Sequence, residues 1–81
     1  MMTNRQEWTR RELDTIFNKN ATHLESIARE MSGSLRSVDV VLDQDTQRPA
    51  INFAFGEGTE PDLNMLPPQI GGVKVTHRFI R

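Results

Sequence analysis

Few residues in this chain could do chemistry. Its only histidines are His23 and His77, and a hydrolytic site needs a nucleophile, a base and an orienting acid that converge on one point. His23 falls in a helical pattern beside Thr22 and near Glu25 and Ser26, the setting of a solvated surface histidine. His77 alternates with Val73, Val75 and Phe79, so it should point toward a core or lie at its edge and find a backbone or carboxylate partner. A pH-sensitive or catalytic use of His77 is the alternative. No residue is nominated as catalytic, and the chain is read as a non-enzyme.

The carboxylates fall in two clusters. Asp43-Gln44-Asp45 sits where a hairpin turn is expected, and aspartates favour turns because their side chains bond nearby amides. A calcium loop would need more oxygen ligands and a closing glutamate, and Thr46-Gln47-Arg48-Pro49 interrupts that pattern, so no metal or cofactor site is assigned. Glu57, Glu60 and Asp62 make an acidic loop suited to a helix start or to a basic partner. Gly56-Glu57-Gly58 and Gly71-Gly72 lack the long helix and the lysine of a phosphate cradle and read as turn pivots. Lys74, Arg78 and Arg81 step along one face of the closing strand. Aromatic residues to stack a base are missing from that face. The residues expected to dock a partner are therefore Glu57, Glu60, Asp62, Lys74, Arg78 and Arg81.

Composition narrows the function classes. Ten basic and eleven acidic residues give a formal charge of −1, without the positive excess that accompanies binding to a phosphate backbone. Nucleic acid is disfavoured as a partner, and a small module using the basic face of the closing strand is the alternative. The chain has no cysteine, which removes disulfides and thiolate chemistry and suits a reducing compartment. No apolar run approaches the roughly 20 residues that span a bilayer, so no membrane contact is expected and the location is read as cytoplasmic. At 81 residues the chain is read as a single domain, 1–81. A domain of that size buries only about 60 to 65% of its unfolded surface.

The elements that would carry these residues follow from periodicity. Thr3-Asn4-Arg5-Gln6-Glu7 offers overlapping capping boxes, Thr3 with Gln6 and Asn4 with Glu7, so a helix is expected to start there. Leu13, Phe17, Ala21, Leu24, Ile27, Ala28 and Met31 recur at steps of three and four, widened by Trp8 and Ile16. Asn18-Lys19-Asn20 could begin a second helix at Asn20, but the apolar spacing crosses it in phase and favours one long helix. Gly33 supplies a left-handed stop, ending the helix at Met31 or Ser32. The series Leu13, Phe17, Asn20, Leu24, Ile27, Met31 also resembles a coiled-coil seam, for which packing on a sheet is the favoured use.

Strands follow. Val38, Val40 and Leu42 alternate with Asp39, Val41 and Asp43; after a turn, Ile51, Phe53 and Phe55 alternate with small or polar residues, making a hairpin. Glu60 to Leu66 has room for a helical turn or two before Pro67-Pro68, and Val73 to Ile80 closes the chain as a strand and a plausible sheet edge. The expected fold is α+β: one long amphipathic helix on a three-stranded, mainly antiparallel sheet, in the order α-β-β-short helix-β.

The run Leu66-Pro67-Pro68-Gln69-Ile70-Gly71-Gly72-Val73-Lys74-Val75, preceded by a hairpin, resembles the small segment that precedes the protease domain in some bacterial trypsin-like proteins. The likeness covers about half of the chain and implies a noncatalytic accessory module; it carries over no catalytic residue. A bacterial or phage accessory protein is expected. It would act by docking on another protein or on a second copy of itself, through a strand edge or a helix face.

Overall fold

A computed structural model describes residues 8–80; Thr3, Asn4, Gln6, Glu7 and Arg81 lie outside the described residues. The chain is α+β, with two helices and a four-stranded mixed sheet, in the order α1 (Arg10–Lys19), α2 (Ala21–Glu30), β1 (Leu35–Leu42), β2 (Pro49–Phe55), a 3-10 turn (Leu63–Met65), β3 (Gln69–Ile70) and β4 (Val73–Phe79). The strand order is β1-β2-β4-β3.

Helix α1 starts later than expected because Thr9 supplies a complete cap. Its backbone is extended, at φ −82° and ψ 159°, and its hydroxyl accepts from the Glu12 amide at 3.1 Å. Glu12 Oε1 in turn accepts from the Thr9 amide at 2.8 Å, closing a capping box that fixes the first turn. A helix running through Trp8 and Thr9 is thereby ruled out.

The single long helix is also corrected. Asn20, at φ −107° and ψ 9°, ends α1 and opens α2. Its side chain donates to the Ile16 carbonyl at 2.9 Å, and its amide is shared between the carbonyls of Ile16 and Phe17. Asparagine competes for the backbone in this way, which is why it breaks helices. The phase of the apolar stripe survives the break. Leu24 and Met31 are buried in the core, and Leu13, Ile16, Phe17 and Ile27 pack against it, so the seam is spent on the sheet. Gly33 is not left-handed; its lack of a side chain instead admits Thr59, with which any β-carbon there would collide.

Strand β2 is the centre of the molecule. It pairs antiparallel with β1 (Val40 opposite Ile51, Val38 opposite Phe53) and parallel with β4 (Ile51 opposite Val75, Phe53 opposite His77). Ile51, Phe53 and Phe55 face the helices and are fully buried. Ala50 and Ala54 face the other way and are buried too, since their small side chains lie below those of the flanking strands.

Two expectations about the sheet are overturned. It has four strands, not three, because Gly71 and Gly72, at φ 58° and 80°, make a two-residue hairpin turn that returns Gln69–Ile70 along β4. Such turns need positive φ at both central residues, which glycine adopts without penalty. The sheet is also mixed: β1–β2 and β3–β4 are antiparallel, but β2 and β4 run parallel. The chain between Phe55 and Val73, long enough to run back along the length of the sheet, makes that possible.

Candidate docking surfaces

The residues with chemical potential do not converge. His23 is exposed on α2. His77 lies on the helix side of β4, opposite Phe53, but the helices do not extend over it and it is exposed; its ring meets Phe79 edge-on at 5.9 Å. The expectation of a partly buried histidine is therefore corrected. Among the described residues, no three His, Asp or Glu side chains are grouped to hold a metal ion.

The expected docking charges are dispersed. Lys74 reaches from β4 across β2 to Asp43, with Nζ 3.1 Å from Oδ2. Asp43 also accepts from the Thr46 amide and hydroxyl at 3.2 and 3.1 Å, so one carboxylate fastens the β1–β2 turn and ties it to β4. The hydrogen bond from Lys74 is the main influence that holds the Asp43 carboxyl below its ordinary value, reinforced by Thr46 and opposed by burial. Lys74 is thus engaged within the fold, with 46% of its side chain still exposed. Two residues along, Thr76 accepts from Asn52 Nδ2 at 2.8 Å, and Arg78 makes no ion pair among the described residues.

The acids separate likewise. Glu57 lies at the end of β2, where its carbonyl accepts from Arg36 Nη2 at 2.6 Å, and it borders a shallow recess with Gly56, Phe79 and Ile80. Glu60 and Asp62 border a different recess, beside Glu30, Met31 and Met65. Asp62 accepts from the Asn64 amide at 3.1 Å and so caps the 3-10 turn.

Among the described residues, what the sheet leaves open is its two edges. Strand β3 pairs only with Val73 and Lys74, and the Val75 amide donates to the Pro68 carbonyl at 3.0 Å. Beyond that point no strand pairs with the outer side of β4 among the described residues. Because Val75 bonds outward, the alternation of a strand turns the backbone groups of His77 and Phe79 outward as well. Phe79 is 57% exposed and Ile80 42% exposed, large apolar side chains beside that open backbone. The sequence held a signal for this: two successive apolar residues on one strand cannot both face the same core.

The second open edge is β1. The Asp43 amide donates to the Arg48 carbonyl at 2.9 Å, which sets the ladder so that Asp39 and Val41 bond toward β2. Val38, Val40 and Leu42 therefore present their backbone groups outward. Beside them, Phe17, Ala21, Leu24, Ala28 and Val38, together with Thr22 and Glu25, line a mainly apolar cleft of about 330 Å³ between the helices and β1.

No protein-family model, curated protein or solved structure matches this chain. No helix among the described residues is long and apolar enough to cross a membrane.

Proposed function

We propose that this protein is a noncatalytic interaction module that receives an extended segment of another protein along the outer edge of β4. One observation carries the reading: β4 continues past its short partner β3, leaving the outward groups of His77 and Phe79 without a strand, with Phe79 exposed beside them. A strand added there would gain affinity from main-chain hydrogen bonds, and specificity from side chains that meet Phe79, Ile80 and the recess at Gly56 and Glu57. Arg78 and Glu57 supply one charge of each sign at that end and would orient the incoming segment. An accessory role of this kind agrees with the resemblance to the segment before trypsin-like protease domains. The absence of cysteine fits action in the cytoplasm.

The test is affinity capture of the tagged protein from its source cells, with and without nuclease, followed by amide exchange on the recovered complex. One stoichiometric protein that survives nuclease and slows exchange at His77 and Phe79 is the expected result. Capture lost on nuclease treatment would transfer the reading to nucleic acid. Slowed exchange elsewhere, with these two amides unchanged, would place the interface off β4.

A further inference from the structure

The edge at β1 is unlike that of β4. It is eight residues long, it contains neither proline nor lysine, its charged residues Arg36 and Asp39 lie within its first five positions, and its one irregularity lies at its start, between Leu35 and Ser37. Natural sheets blunt exposed edges with such residues, with bulges or with short strands. Here the far end carries two exposed apolar residues instead, Val41 at 39% and Leu42 at 41% exposure.

We infer that β1 is a self-association edge, at which a second copy of this chain pairs antiparallel about a two-fold axis through Val40. Charge and geometry select that register. An axis at Asp39 would set the two Asp39 carboxylates face to face, and an axis at Val41 would set Asp39 opposite Asp43, so both place like charges directly across the ladder. An axis at Val38 would run the pairing into the irregularity at Leu35 and Ser37, and one at Leu42 would run it into the turn that follows the strand. An axis at Val40 avoids all four. It sets Asp39 opposite Val41 and Ser37 opposite Asp43, with no like charges facing.

That register also matches the outward backbone groups and the shape of the surface. Val40 meets its own copy, and Val38 meets Leu42, each pair exchanging both of its backbone bonds. Leu42 lies on the helix side of the sheet, as Val38 does. Each exposed Leu42 is thereby brought beside the second copy's Val38, which lines the apolar cleft with Phe17, Ala21, Leu24 and Ala28. A protruding apolar residue and an apolar cleft, placed on opposite sides of one axis, are what an isologous interface requires. The result is a continuous eight-stranded sheet with both helix layers on one side, and both β4 edges remain at its ends.

The register is tested by cross-linking, since the chain contains no cysteine of its own. Directly opposed residues that are not hydrogen-bonded to each other lie about 4.5 Å apart at Cα, within reach of a disulfide. An equimolar mixture of the Asp39→Cys and Val41→Cys proteins, treated with diamide, should yield a covalent dimer that neither protein forms alone. Sedimentation across the micromolar to millimolar range should show a dimer that becomes a monomer on Leu42→Lys and persists on Phe79→Asp. A monomer at every concentration, or cross-linking equal in the mixture and in either protein alone, would overturn the inference. So would a dimer that Leu42→Lys leaves intact. Because the two edges are mutated separately, failure here leaves the β4 reading standing, and the reverse.

Discussion

Asn20 and Gly71 are fitted to each other: the Asn20 carboxamide oxygen occupies the space that a β-carbon on Gly71 would require. The residue that breaks the helix is therefore the one on which the β3–β4 turn rests. Gly71→Ala should cost about 2–4 kcal/mol, from a left-handed backbone combined with a collision. Gly72→Ala meets nothing within 4 Å and should cost only the backbone strain, about 1–2 kcal/mol. Urea unfolding of both, and of Gly71→Ala combined with Asn20→Ala, measures the coupling; part of the loss should return in the double variant.

The Asp43–Lys74 contact gives stability a definite dependence on pH. A carboxyl whose folded pKa lies below its unfolded one binds fewer protons in the folded state, so stability rises with pH through that range. The contribution is complete above the ordinary value of 3.8 and is lost as pH falls through the lowered one. Lys74→Met should reduce stability at neutral pH and flatten its decline in acid, read as denaturant midpoints from pH 7 downward. An unchanged slope would assign the acid response to other carboxylates.

Core and cap should differ sharply in cost. Phe53 is fully buried at the centre of β2, and Phe53→Ala should cost about 3–5 kcal/mol, much of the 5–15 kcal/mol typical of a whole domain. Thr9→Ala removes the hydroxyl that accepts from the Glu12 amide and donates to the Glu12 carboxylate, both exposed bonds, and should cost about 1 kcal/mol. Thermal unfolding followed by circular dichroism should therefore show a large fall in midpoint for Phe53→Ala and a slight one for Thr9→Ala.

Exposure separates binding from folding at Phe79. Its ring lies 5.7 Å from that of Phe55, and it is mostly in solvent. Phe79→Asp should cost only about 1 kcal/mol of stability while abolishing capture of the partner. Lys74→Met should leave capture unchanged, because Lys74 is already engaged by Asp43. Equal capture by the Phe79→Asp protein would remove β4 from the interface.

The apolar stripe of the helices and the β1–β2 hairpin were legible in the sequence because their periods are local. Leu24, Met31, Val40, Ile51, Phe53 and Phe55 enter the core, and Leu13, Ile16, Phe17, Ile27 and Val38 pack against it, as their spacing within each element requires. The helix start was misplaced because Thr3-Asn4 and Thr9 both carry capping signals and only one could be weighed against a packed structure. Gln69–Ile70 was missed as a strand because two residues leave no period to detect. The engagement of Lys74 by Asp43 was not legible, because the two are 31 positions apart and a β-strand lies between their strands.

The sequence by itself determined which side chains share a face, since the geometry of a helix and of a strand sets their direction from residue to residue. It also excluded thiol chemistry, by lacking cysteine. Only the tertiary structure decided that β4 lies beside β2 and runs parallel to it, that β3 covers just its first residues, and that β1 is left as the other edge. Strand order depends on which distant segments find each other. The candidate surfaces of this protein are the edges left over from that choice.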